Sequence, residues 1–325
     1  MTMKQPIHPL ALCVAIAAAA LYASTAQAQS SVTLYGLIDA SVRYEHSNKG
    51  NVTSVVDGAD AGWGGSRWGF LGSEDLGGGL KAIMNLEGGL NIDTGTLRGG
   101  KVFGRTAMVG LASSYGEITL GRQYNALYYT GSWHSDPTYV SSWSPTVVHQ
   151  LDFAWDNAIA YTGRFGDYIA RATFAPGEQH GSKGNRQAAS LLYNGHPFGV
   201  AAGYGSVKDK NWSTANLGAY YEIGKLTLQA TYYRTTNEPY SGARRITTQG
   251  LGGFYQFTPE IELTAAFWHT RSALDSGVLR ERKGLVAARY SLSKRTRLYA
   301  EADHARSNGE IRRKAGVQLG VQHSF

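Results

Sequence analysis

The stretch Ser31-Val32-Thr33-Leu34-Tyr35-Gly36-Leu37-Ile38-Asp39-Ala40-Ser41-Val42-Arg43-Tyr44 decides the fold class. Its even positions are Val, Leu, Gly, Ile, Ala, Val and Tyr, while Thr33, Tyr35, Asp39, Ser41 and Arg43 hold odd ones. A period of two with one apolar and one wet face is a strand, not a helix. The end of the chain repeats it, with Ala315, Val317, Leu319, Val321 and Phe325 against Gly316, Gln318, Gly320, Gln322 and Ser324. Similar runs between these two bring the expected strand count to sixteen, among them 63–73, 80–91, 101–111 and 116–124. The connections alternate strictly. Short turns, such as those at Ser114-Tyr115, Arg164-Phe165-Gly166, Ile223-Gly224 and Leu292-Ser293, follow longer polar segments at roughly 45–62, 92–100, 125–156, 176–186, 207–213, 236–245, 273–280 and 306–311. A soluble sandwich has no reason to sort its turns by length. A transmembrane barrel does, with short periplasmic turns, longer extracellular loops and no edge strand.

Composition agrees. The 325 residues include 41 Gly, 20 Tyr, 8 Pro and 1 Cys, with 42% hydrophobic residues. A mean hydropathy of −0.27 excludes a bundle of transmembrane helices, and the aromatic content argues against disorder. Lys4, the apolar run Leu10 to Leu21 and Ala26-Gln27-Ala28 predict a signal peptide over 1–28, the alternative being a short membrane anchor. Its removal takes Lys4 and Cys13 and lowers the net charge from +7 to +6. Residues 29–325 then form one barrel domain, leaving roughly 18 residues per strand and connection, against the ~9–11 needed to cross the apolar core.

If the apolar parity faces lipid, the other lines a water-filled lumen. Arg43, Arg67, Lys81 and Arg105 stand on that parity, as does Glu87. The 125–156 connection is far longer than an ordinary loop and carries Trp133, Asp136, Tyr139, Trp143, Asp152 and Trp155. So aromatic a loop is expected to fold inward and narrow the pore, the alternative being a cap outside it.

Several stretches carry a family resemblance: Gln29-Ser30-Ser31-Val32-Thr33-Leu34-Tyr35-Gly36, Ser66-Arg67-Trp68-Gly69-Phe70-Leu71-Gly72-Ser73-Glu74-Asp75-Leu76-Gly77-Gly78-Gly79, Phe103-Gly104-Arg105-Thr106-Ala107 and Ile118-Thr119-Leu120-Gly121-Arg122-Gln123-Tyr124. The chain resembles Gram-negative general porins of the β-proteobacterial type. The resemblance implies a sixteen-stranded, trimeric diffusion channel whose third extracellular loop enters the lumen. It also implies a basic wall, at Arg67 and Arg105 with Lys81 and Arg43 as further candidates, facing acids or backbone on that loop. Asp136, Asp152 and Glu87 are the candidate acids, with Trp133 and Tyr139 as loop aromatics. Leu71 and Ala154 stand where relatives often carry a basic residue, which predicts a thinner basic ladder. Arg244, Arg245, Arg282, Lys283, Arg312 and Arg313 are expected at an outer rim facing lipopolysaccharide, or simply as solvated loop charges. Phe325 resembles the terminal signal read by the barrel-assembly machinery.

No catalytic constellation emerges: Gly77-Gly78-Gly79 lacks a following Gly-Lys-Ser/Thr, and no His-Glu-x-x-His or nucleophile elbow is present. No cofactor and no nucleic-acid partner is expected. The sequence thus predicts a passive channel for small hydrophilic solutes, weakly favouring anions. The alternatives are a channel specific for aromatic or carboxylated solutes, and a barrel-anchored enzyme or adhesin.

Overall fold

The computed structural model describes residues 30–134, 136, 138, 144, 146, 149, 151–177 and 184–325. The expected signal peptide and Tyr139 lie outside the described residues. Sixteen antiparallel strands close into a barrel. They are β1 (Ser30–Ser47), β2 in two arms (Gly50–Asp57 and Arg67–Gly77), β3 (Leu80–Asn91), β4 (Thr106–Ser113), β5 (Gly116–Tyr124), β6 (Ala154–Phe165), β7 (Tyr168–Ala175) and β8 (Arg186–Asn194). The second half is β9 (Phe198–Val207), β10 (Trp212–Ile223), β11 (Leu226–Glu238), β12 (Ala243–Gln256), β13 (Ile261–Leu274), β14 (Gly277–Ser291), β15 (Thr296–Ser307) and β16 (Arg313–Ser324).

Closure rests on β1. One edge pairs with β16, from Leu37 opposite Ser324 to Ser47 opposite Lys314. The other takes both arms of β2, with Val42 opposite Val55 and Tyr35 opposite Gly69. Phe325 extends the seam: its N–H donates to the Gly36 carbonyl and its carbonyl accepts from the Gly36 N–H, both at 3.1 Å. A side chain at Gly36 would meet the Phe325 ring and the Arg67 carbonyl.

The two parities behave as the alternation predicts. Val32, Leu34, Val42, Val109, Leu217, Leu251 and Leu319 are exposed on the outside, where lipid covers them, whereas Asp39, Ser41 and Arg43 are buried toward the lumen. A charge at mid-depth on the lipid face costs roughly 2–4 kcal/mol, which explains the strictness of the pattern. Exposed Phe165, Tyr168, Phe198, Tyr221, Tyr255 and Phe257 gather near the short turns and form an interfacial girdle.

Two features depart from the sequence reading. Several connections expected to be long shrink to 208–211, 239–242, 275–276 and 308–312, because their flanking strands continue past the membrane. The 45–62 segment is also mostly wall: Gly50–Asp57 pairs with β1, and the chain then enters the lumen at 58–66 before β2 resumes. Glycine explains the excursion, since a Cβ at Gly58 would strike the Gly64 carbonyl and the Asp39 side chain.

This inward strap opens with one helical turn, α1 (Gly58–Ala61), capped by Asp57, whose carboxylate accepts from the Ala59 N–H at 2.8 Å. Asp39 holds the far end. Its Oδ2 accepts from the Trp63 N–H, the Gly64 N–H and Gln322 Nε2, each at 3.0 Å, and its Oδ1 from the Tyr299 hydroxyl at 2.7 Å. Ala61 and Trp63 pack with Trp268, Leu285 and Tyr299 of the wall.

Replacing Gly36 by Ala should lower thermal stability by about 1–3 kcal/mol, the usual cost of overpacking, because the added methyl meets backbone as well as a ring. The temperature at which folded gel migration is lost should fall; an unchanged transition would refute the seam's role.

Candidate functional site

The lumen loop, residues 125–153, is the second inward segment. Asn125 starts it by accepting the Leu127 N–H on Oδ1 at 2.9 Å, and α2 (Ala126–His134) follows. Leu127 and Leu151 fit against Gly203 and Gly205 of β9, where any Cβ would come within 3 Å of a leucine methyl. Trp155 and Trp212 complete this buried apolar cluster. Asn216 Nδ2 donates to the Thr130 hydroxyl at 2.7 Å. Further along, the buried ring of His149 stacks on Tyr233 and hydrogen-bonds Thr235 and Thr248 at 2.6 and 2.8 Å. The loop is therefore docked on the β8–β12 wall, as its aromatic content implied.

Where the loop leaves β5, Tyr124 stacks on Tyr128 at 4.2 Å, with Tyr129 and Phe153 at the edges of the pair. Against this aromatic face stands a charged one. Glu87 accepts from Arg105 Nε at 2.6 Å and from the Tyr35 hydroxyl at 2.9 Å, and Arg67 Nε lies 3.5 Å from it. The Tyr124 hydroxyl donates to Glu87 at 3.3 Å, and the Arg105 guanidinium lies 5.7 Å from the Tyr124 ring centre. The strap reaches the same place, its Gly65 carbonyl accepting from Arg67 Nη1 at 3.1 Å. Two arginines, one carboxylate and a tyrosine stack thus form a single charged collar along the β1–β5 side of the lumen, with two positive charges against one negative.

The structure sorts the remaining candidates. Lys81 is exposed at the turn end of β3, opposite Asp75, and so belongs to the periplasmic mouth. Arg43 is buried in an ion pair with Asp303 at 2.8 Å and also touches Glu45; it is a strut of the wall, away from the collar. Asp136 does not face the pore. Fully buried, it accepts from the Thr138 N–H and from the Thr138 and Thr146 hydroxyls, stapling the loop to itself. Asp152 pairs with Arg186 at 2.9 Å and accepts from the Tyr240 hydroxyl at 2.7 Å, fastening the loop's base. Glu87 stands on the arginine wall, not opposite it. Trp133 lies in α2, its side chain outside the described residues. Leu71 is exposed and Ala154 buried.

Of the rim candidates, Arg244 pairs with Asp275 at 3.1 Å, and Arg245, Arg282, Arg312 and Arg313 are exposed. Lys283 is not at the rim: it stands opposite Trp268 and Ala305 on the lumen parity. The sequence reading left the strap and Tyr124 out of the collar. It also left out Arg171, whose guanidinium sits 4.3 Å over the Tyr129 ring. The glycine spacing Gly58, Gly62, Gly64, Gly65 was the available signal for the strap.

A family model described as Gram-negative porin matches residues 14–310. An outer membrane porin protein of Bordetella pertussis is 28% identical, covering 94% of this chain and 97% of its own. Outer membrane porin protein 32 of Delftia acidovorans is 30% identical over 95% of this chain and 99% of its own. Among solved structures, the anion-selective porin from Comamonas acidovorans superposes with a TM-score of 0.79 at 23% identity, covering 91% of this chain and 100% of that one.

Burial pushes the His149 imidazole down to about 3, so the docked loop holds it neutral. A released imidazole takes up a proton near its ordinary value of 6.5, so docking is fully favoured above that pH and weakens as pH falls toward 3. The penalty reaches about 3 kcal/mol by pH 4. Asp136, pushed up by burial, acts in the opposite sense. Single-channel current should therefore grow unsteady between pH 6 and 4, and His149→Gln should remove that component. Identical pH profiles in both proteins would exclude the imidazole latch.

Proposed function

The chain belongs to the Gram-negative porin family, and from that premise we propose that it works as a trimeric diffusion channel with a weak preference for anions. It is an outer-membrane channel for small hydrophilic solutes, and its reading as a channel rather than an enzyme follows from the family. The observation that carries the selectivity is the collar: Arg67 and Arg105 share the single carboxylate of Glu87. Within the collar one surplus positive charge remains. Arginine suits this task because its charge does not titrate away in the physiological range. Leu71 and Ala154, in place of further cations, keep the preference weak.

A second reading is favoured by the stack of Tyr124, Tyr128, Tyr129 and Phe153 beside Arg105. A ring for stacking next to a guanidinium is the chemistry that holds an aromatic carboxylate. Saturable block of current by benzoate, absent with acetate, would favour that reading over free diffusion.

The remaining partners are part of the same proposal. Export follows cleavage after Ala28, Phe325 is the signal offered to the assembly machinery, and the exposed arginines of the rim meet lipopolysaccharide.

Planar-bilayer recording in a salt gradient tests the charge assignment. A charge about 4 Å from a permeating ion in water is worth about 1 kcal/mol, or roughly fivefold in relative permeability. Arg105→Ala should lower the anion-to-cation ratio by up to that factor, and Glu87→Gln should raise it. Unchanged reversal potentials in both variants would remove the collar from selectivity.

A further inference from the structure

The lumen side of β7 and β8 holds a charge that neither the collar nor the latches of the loop use. Arg171 of β7 stands opposite Ser190 of β8 on one side and Thr162 of β6 on the other. Docking of α2 lays the Tyr129 ring over its guanidinium, with Cζ 4.3 Å from the ring centre. Arg171 Nη1 is buried and has no hydrogen-bond partner among the described residues. The same holds for Oγ of Ser190, a residue only 7% exposed. The two therefore do not answer each other, although directly opposed residues carry Cβ atoms roughly 5 Å apart.

Charge is unbalanced at this point. Among the described residues no acid forms an ion pair with Arg171. The charged side chains that act on it are Arg164 and Glu117, so two positive charges meet one negative. A tyrosine face attracts a guanidinium but brings no counter-charge. A cation drawn out of water with nothing opposite is costly. Docking incurs that cost, because Tyr129 of the loop is the ring that covers the guanidinium.

We propose that Arg171 and Ser190 form a binding site for one small monovalent anion of the halide class, which clamps the lumen loop by supplying the counter-charge that docking demands. The anion accepts from Arg171 Nη1–H and from the Ser190 hydroxyl, whose proton is free to turn toward it. Ala188 and Leu192, both buried, flank Ser190 on the same parity of β8, so its neighbours along the strand are apolar. Stripping an ion of water costs more as the square of its charge and less as its radius grows. Bromide and chloride are therefore accepted, and sulfate and phosphate refused. The site is separate from the collar, where Arg105 already has Glu87 as its partner. The inference goes beyond the channel reading, since it concerns an ion that stays and not one that passes.

The test uses the purified mature protein in detergent, heated in sodium bromide or sodium gluconate of equal ionic strength. An ion that binds only the folded protein raises its unfolding temperature as its concentration passes the dissociation constant. Loss of folded gel migration should therefore move to higher temperature with bromide and not with gluconate. Ser190→Ala and Arg171→Lys should need roughly tenfold more bromide for the same rise, about the effect of one lost charged hydrogen bond. Arg105→Ala should keep the parent's response; its loss there would hand the anion to the collar and overturn the site. Crystals of the unmodified protein grown in bromide should show an anomalous peak touching Arg171 and Ser190. A peak only between Arg67 and Arg105, or an equal rise in parent, Ser190→Ala and Arg171→Lys, would overturn the proposal. An equal rise with gluconate would reduce the effect to ionic strength and overturn it as well. An equal rise with acetate would give the donors to a carboxylate and overturn the halide assignment.

Discussion

Hydrocarbon offers no hydrogen-bond partner, so every backbone N–H and C=O at membrane depth must be answered within the sheet. The rest of this molecule depends on meeting that demand by closure. β1 is where it is met: β16 occupies one edge, and β2 the other in two arms. Phe325 and Gly36 exchange the last pair of bonds. Once the sheet is closed, alternation assigns each side chain to lipid or lumen, and a one-residue slip would reverse the whole assignment.

Closure at this circumference leaves a wide interior, which the chain fills from two sides. The strap at 58–66 and the loop at 125–153 both bring backbone into the lumen, and both are latched by polar groups of the wall. Asp39 answers two strap N–H groups. Thr235, Thr248 and Asn216 answer the loop through His149 and Thr130. Buried polar groups that are fully partnered specify one arrangement, and unpartnered they are costly. The collar is thus placed by interior hydrogen bonds as much as by the barrel.

This division separates charges that build from charges that act. Arg43 and Asp303 neutralise one another in the wall, and removing either would strand a buried ion at a cost of about 3–5 kcal/mol. Asp136 and Asp152 hold the loop's shape. Arg67, Arg105 and Glu87 pair with one another in the collar to which we assign selectivity. Arg171 belongs to a separate place beside α2. The formal surplus of the sequence is therefore no measure of the field inside the pore.

The barrel, its strand number, the inside and outside of each strand and the inward loop were all legible in the sequence, because the pleat converts parity into environment without reference to any distant residue. Arg67, Arg105 and Glu87 could be named for the same reason. Tertiary structure alone decided which charges face each other. That Arg43 meets Asp303 depends on strand pairing between the two ends of the chain, and Asp136 turns into its own loop because Thr138 and Thr146 fold back on it. The strap escaped because 50–57 and 67–77 share one strand position only when Asp39 captures the segment between them. Parity is a local property of the chain, whereas pairing is a property of the closed sheet.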